Sequence, residues 1–354
     1  MDKVFQACEA GDYDTVVFLL DTSSGVDVHS KKNDGSESTL LHVACLWGHY
    51  KIAKMLIEYD ADVNAINNNG DLPLHCACHN GHTSIIKLLL RNGSNVNTIN
   101  KHGNAPIHLA CIINNCDNVK ALSTCFTMFN IKDGYGDNCL HIACLYGYYD
   151  LAVLLLESNV NINAKNNYRQ TPLHHACRRH HYNIVKLLIE NDADDREKDL
   201  YHNIPFHHAC RNGDYDIVEF LLENNYLNIY EKNILGNTPL HIACIYKRHN
   251  IVKLLLENDS NINAVNLEMH TPLHVACIYG NIDVIQLLLE NNANITTLDK
   301  KHNTPIMCAR NFKRSDIVHF LDKDMKKRLY VAFLVIQQDV YKMYFLKLIN
   351  LSKN

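Results

Sequence analysis

Thr238-Pro239-Leu240-His241-Ile242-Ala243-Cys244 and Thr271-Pro272-Leu273-His274-Val275-Ala276-Cys277 are one seven-residue corner written twice, 33 residues apart. The same corner occurs at Thr171-Pro172-Leu173-His174. Working outward, all seven prolines of the chain (Pro73, Pro106, Pro172, Pro205, Pro239, Pro272 and Pro305) occupy this one slot, at spacings of 33, 66, 33, 34, 33 and 33. Leu40 and Cys139 fill the two missing beats. Proline fixes φ and donates no N–H, so its confinement to this slot predicts a helix beginning there each time.

Six positions before each slot stands Asp34, Asn67, Asn100, Asp133, Asn166, Asp199, Asn233, Asn266 or Asp299. A short side chain able to bond its own backbone opens a tight turn, and Gly70, Gly103, Gly136 and Gly236 three residues later supply φ > 0. After the Ala-Cys comes a short apolar helix, then a polar break often holding Gly (Gly48, Gly81, Gly147, Gly213, Gly280), then a second helix. Segments 184–190, 251–257 and 284–290 place apolar residues at i, i+1, i+3, i+4 and i+5, the stripe of a helix with one buried face. Each unit is therefore expected to be a turn followed by two helices.

These residues resemble the ankyrin repeat family, whose period is about 33 and whose signature is T-P-L-H-x-A. Phe5-Gln6-Ala7-Cys8 followed by Val16 to Leu20 looks like a first, proline-less unit, which brings the count to ten. The resemblance implies an all-α repeat solenoid of ankyrin repeats, each a β-turn finger plus an antiparallel helix pair. The expected organisation is an N-terminal capping unit over 1–38 with an extended finger, nine repeats over 39–321, and a C-terminal segment over 322–354. It also implies that the corner histidines (His42, His75, His108, His141, His174, His207, His241, His274) bond within the turn network.

Composition narrows the partners. With 34 basic against 38 acidic residues the net charge is −4, so no bulk field draws the chain to nucleic acid or to an anionic membrane. The N-terminus lacks the charged-then-apolar pattern of a signal peptide. The longest apolar run, 329–336, is far short of the roughly 20 residues of a membrane span. Nine of the fourteen cysteines (Cys8, Cys45, Cys78, Cys111, Cys144, Cys177, Cys210, Cys244, Cys277) recur at one small, buried helical position. Such residues one repeat apart lie too far apart to bridge, so they read as small hydrophobes in a reducing compartment. The expectation is a monomeric protein of the cytoplasm, or of a host cell's interior, the latter suggested by abundant Asn, Ile and Lys.

Several patterns imitate chemistry. His-x-x-Cys occurs eight times, most densely in His75-Cys76-Ala77-Cys78-His79-Asn80-Gly81-His82, and zinc favours such ligands. A pair copied through every unit is nevertheless what a folding motif produces, so no metal and no cofactor are expected. There is no phosphate loop, no nucleophile elbow and no His-Glu-x-x-His helix. Glu190, Glu223, Glu257 and Glu290 repeat at one solvent position. No catalytic residues are assigned, and the chain is read as a non-enzyme.

Function in a repeat scaffold belongs to residues that differ between units. The resemblance places the two residues after each Ala-Cys on the concave face. Their second members include Trp47, Tyr146, Arg179, Tyr246, Tyr279 and Phe312, residue types that dominate binding hot spots. Arg178, Arg179, His180, His181 and Arg211 add a basic cluster suited to an acidic segment. The competing reading is that the rings pack on neighbouring repeats. The proposed partner surface is Trp47, Tyr146, Arg178, Arg179, Arg211, Tyr246, Tyr279 and Phe312, with apolar finger tips such as Leu200-Tyr201 and Ile234-Leu235 beside it. The expected role is a protein-binding scaffold, or alternatively an adaptor or regulator of a partner enzyme.

Two stretches break the pattern. Asn114-Asn115-Cys116-Asp117 replaces the glycine break, and the helix after it lacks the usual leucines, predicting weaker packing. Beyond Asp322, Leu329, Phe333, Ile336, Val340, Tyr344 and Leu348 follow helical spacing, predicting an amphipathic helix that caps the stack or recruits a second partner.

Overall fold

A computed structural model describes residues 2–22, 27–123, 129–327, 330 and 337. The chain divides into two compact units, Met1–His208 and Ala209–Asn354. The predicted C-terminal positions Leu329, Phe333, Ile336, Val340, Tyr344 and Leu348 lie outside the described residues, as do 124–128.

The fold is an all-helical repeat solenoid. Its inner helices are Asp2–Ala10, Leu40–Trp47, Pro73–His79, Pro106–Ile112, Cys139–Tyr146, Pro172–Arg178, Pro205–Asn212, Pro239–Ile245, Pro272–Tyr279 and Pro305–Asn311. Outer helices follow, from Tyr13–Asp21 through Tyr50–Glu58, Thr83–Arg91, Cys116–Ser123, Tyr149–Glu157, Tyr182–Glu190 and Tyr215–Asn224 to His249–Glu257 and Ile282–Glu290. Residues 315–327 are helical as well. Seven of the inner helices begin at the proline predicted to start them.

The turn chemistry operates as the asparagines and aspartates predicted. Asn67 Oδ1 accepts from the backbone N–H of Asn69 at 2.9 Å and of Asp71 at 3.0 Å. Asp133, Asn166, Asp199, Asn233, Asn266 and Asp299 each accept the same two bonds. Fingers then bond to one another. In the first unit Asn68 donates to Ser36 O at 2.8 Å, Lys101 to Asn69 O at 2.9 Å and Leu200 to Tyr168 O at 3.0 Å. In the second, Leu267 donates to Leu235 O at 3.0 Å.

Corner histidines close each inner helix start and reach the next repeat. His241 Nδ1 accepts the Thr238 N–H at 3.2 Å, and its Nε2 donates to His270 O at 3.0 Å. Thr238 Oγ1 in turn accepts the His241 N–H, a histidine form of the capping box. Because Nδ1 accepts, the proton sits on Nε2, which fixes one neutral tautomer. His42, His75, His108, His141, His174 and His274 repeat both bonds.

The nine recurring cysteines are fully buried. Burial pushes the Cys8 and Cys76 thiols up to about 12, so they stay protonated and unreactive at neutral pH. The irregular helix Cys116–Ser123 remains stacked, with Val119 and Leu122 fully buried. Its weakness is specific. Asn118 is fully buried, its Oδ1 accepts from Thr83 Oγ1 at 2.6 Å, and its Nδ2 finds no partner.

Candidate functional site

The inner helices end where the sequence singles out aromatic and basic residues. A helix ends there because the chain turns left-handed. Gly48, Gly147 and Gly280 cap helices Leu40–Trp47, Cys139–Tyr146 and Pro272–Tyr279 with φ of 81°, 81° and 76°. The last helical side chain is thereby left facing solvent.

In the first unit, Trp47 is 56% exposed and Tyr146 is half exposed. Tyr146 lies flat on Tyr148, ring centroids 5.6 Å apart at 19°, and the Tyr148 hydroxyl donates to Ile112 O at 3.2 Å. Arg178 is half-buried while Arg179 and His180 are exposed. His181 is held below the usual imidazole range, first by burial, then by His180 and Arg179. In the second unit the Arg211 guanidinium covers the Tyr246 ring, 4.7 Å from its centroid, a cation–π pair. Tyr246 is 38% exposed, and Tyr279 and Phe312 are exposed too. Tyr146 and Tyr246 thus pack on one flank and offer the other to solvent.

A second exposed row escaped complete notice in the sequence. Tyr135, Tyr168 and Tyr201 stand at the same finger position in three consecutive repeats and are 67%, 51% and 64% exposed. Their fingers are bonded in sequence, Asn167 N–H to Tyr135 O and Leu200 N–H to Tyr168 O, each at 3.0 Å. The 33-residue spacing of the three tyrosines was the signal available. In the second unit Ile234, Leu235, Leu267 and Met269 form the corresponding exposed apolar tips.

The residue after each break also carries a role that sequence reasoning passed over. His49 Nε2 donates to Glu9 O at 3.0 Å, His82 Nε2 to Leu46 O at 3.2 Å, Arg248 Nε to Arg211 O at 2.9 Å and Arg314 Nε to Ile278 O at 3.2 Å. Each satisfies a terminal carbonyl of the preceding inner helix. The dense His75 to His82 run is accounted for in this way: His75 serves its corner and His82 serves Leu46 O.

Chemistry-bearing side chains do meet elsewhere, at three positions that face each other across a repeat boundary. These are the residue before the Thr slot, the finger Asx, and the third residue after the proline slot. In the first unit Asp137, Asn166 and His175 meet, with Asn166 Nδ2 donating to Asp137 Oδ1 at 2.8 Å and His175 Nε2 lying 3.5 Å from that oxygen. His208 Nε2 approaches Asp199 Oδ2 at 3.0 Å, with His174 alongside. In the second unit His270 Nε2 lies 3.4 Å from Asp299 Oδ2, and Cys308 Sγ donates to that same oxygen at 3.5 Å. Other repeats carry Val275, Ile242 or Leu109 at the third position. That substitution pattern was readable in the sequence; the convergence was not.

Finger, helix pair, corner and inter-finger bonds define an ankyrin stack, and profiles described as "Ankyrin repeats (3 copies)" match residues 4–100, 85–166, 107–199, 161–233, 192–266 and 260–329. The chain belongs to the ankyrin repeat family. Ankyrin repeats generally mediate protein–protein interaction. Among curated proteins the chain is similar to protein phosphatase 1 regulatory subunit 27 of Mus musculus and of Homo sapiens, each 38% identical over 68 residues. That stretch is 19% of this chain, and it spans 42% of the length of either relative. No helix among the described residues is long and apolar enough to cross a membrane.

Proposed function

We propose that this chain is a non-catalytic scaffold that binds another protein through the ends of its inner helices and its finger tips. The observation that carries the reading is the exposure of Trp47, Tyr146, Tyr246, Tyr279 and Phe312 at one repeat position, where short polar residues would suffice for folding. The basic residues Arg178 and Arg179 in one unit, and Arg211 in the other, favour a partner segment bearing carboxylates. Neither nucleic acid nor a membrane is required.

A second reading, that the chain regulates or delivers a partner enzyme, draws support from its similarity to a phosphatase regulatory subunit. Binding tests both. Affinity capture with the intact chain is compared with Trp47→Ala/Arg179→Glu and Arg211→Glu/Tyr246→Ala, each first verified to melt like the parent. Loss of the same captured protein in either variant supports the scaffold, whereas identical capture by all three chains defeats it. Adding the chain to purified protein phosphatase 1 catalytic subunit tests the regulator reading, with an unchanged rate on several phosphopeptides counting against it for that enzyme.

A further inference from the structure

We propose that His270, Asp299 and Cys308 form a zinc site that ties together two successive repeats near the end of the second unit. The inference is independent of the protein-binding reading. His270 closes the finger ahead of helix Pro272–Tyr279, Asp299 opens the finger ahead of helix Pro305–Asn311, and Cys308 lies on that second helix. Three donor types that zinc accepts, imidazole, carboxylate and thiolate, therefore arrive from both sides of one repeat boundary.

Their spacing suits the ion. Zinc bonds of about 2.0–2.3 Å in a tetrahedron set ligand-to-ligand edges of about 3.3–3.8 Å. His270 Nε2 is 3.4 Å and Cys308 Sγ is 3.5 Å from Asp299 Oδ2, and the three donor atoms lie within 4.8 Å of one another. Asp299 is aimed in advance, since its Oδ1 accepts the Lys301 and Asn303 N–H bonds at 2.8 Å each, while its Oδ2 also takes the Asn303 side-chain amide at 3.2 Å, a bond that the oxygen's remaining lone pair leaves compatible with a metal. Asp299 and Cys308 are buried, while the His270 side chain retains 22% exposure, which leaves a way in and room for a water as fourth ligand. On binding, the thiol proton passes to solvent, and Zn²⁺ with one carboxylate and one thiolate leaves the buried site neutral.

The cluster His174, Asp199 and His208 in the first unit also brings three donors within 4.8 Å. It does not qualify, because His174 is committed to its corner. Its Nδ1 accepts the Thr171 N–H at 3.1 Å and its Nε2 donates to Asn203 O at 3.0 Å, so ligation would dismantle the fold's own bond. The His270 imidazole has no such duty. Its backbone alone serves the finger, through His270 N–H to Asn266 Oδ1 and His241 Nε2 to His270 O.

The test uses the full chain, reduced and stripped of metal, titrated first with Co²⁺ and then with Zn²⁺. One equivalent of Co²⁺ is expected, with a thiolate-to-cobalt charge-transfer band in the near ultraviolet that Zn²⁺ abolishes. Cys308→Ser is expected to lose that band, and both Cys308→Ser and His270→Gln to weaken Zn²⁺ binding at least about 100-fold, beyond what loss of an outer-shell partner produces. His208→Val is expected to leave binding unchanged. Zn²⁺ raises the melting temperature of the parent and of His208→Val but not of the two ligand variants. The proposal is overturned by absence of one-to-one binding, by a charge-transfer band that survives Cys308→Ser, or by wild-type affinity in His270→Gln. Because His270 is partly exposed, that last variant decides the matter even where Cys308→Ser fails to fold.

Discussion

The corner histidine shows how one residue links a local turn to a stack. Its Nδ1 fixes the start of its own helix and its Nε2 reaches the next repeat, so the ring must be neutral. Burial holds His42, His75, His108, His141, His174, His241 and His274 below the ordinary imidazole range, with His141 and His241 near 4. Unfolding frees these rings to take up protons below about pH 6.5, whereas the folded rings resist to lower pH, His141 and His241 until about pH 4. Their contribution to stability is therefore complete above pH 6.5 and declines as pH falls towards 4. Urea melts between pH 7 and 4.5 should show a steep loss with uptake of more than one proton on unfolding; a flat profile to pH 5 would refute it. Backbone strain provides a second check at this scale. Met269 holds φ of 61° at a finger position where Gly70, Gly103, Gly136 and Gly236 sit in other repeats. Met269→Gly should raise stability by up to about 1 kcal/mol, read as a higher denaturant midpoint with unchanged slope.

At the scale of the element, the breaks between helices depend on what the next repeat places over them. Gly48 has φ of 81°, and a Cβ there would meet the His82 ring at 2.6 Å. That ring is itself held by Leu46 O. Gly48→Ala should therefore destabilise by about 1–3 kcal/mol, and the double variant with His82→Ala should lose less than the sum, the mark of a shared contact. Helix Cys116–Ser123 departs the other way. Asn118 replaces the Ile52, Ile85, Leu151 and Ile184 of neighbouring outer helices and buries an amide nitrogen with no partner. Thr83→Val combined with Asn118→Ile removes both polar groups, and should stabilise by about 1–3 kcal/mol in thermal melts. A loss of stability would mean that the Thr83–Asn118 bond outweighs the orphaned nitrogen.

At the scale of the whole molecule, stability accumulates repeat by repeat, so the weakest boundary decides where a stack opens. In the first unit the fastest-exchanging interior amides should be those of 114–123, measured by hydrogen exchange and mass spectrometry. Protection equal to that of 83–91 would contradict the assignment. Cysteines at a buried repeat position, prolines at helix starts and Asx residues at finger starts were all legible, because each acts within a few residues of itself. The exposed ends of the inner helices were legible too, since they vary where the fold residues do not. His270, Asp299 and Cys308 were not, being 29 and 9 residues apart and carrying no local motif.

By itself, then, the sequence determined the ankyrin repeat: period, turn, helix pair and a His that serves the corner rather than a metal. Local hydrogen bonding and apolar periodicity suffice for that, and they are written in consecutive residues. Tertiary structure alone decided which variable residues meet. Stacking carries residues of adjacent repeats into contact, so a finger residue of one unit and a helix residue of the next, each unremarkable in its own segment, converge on one carboxylate oxygen.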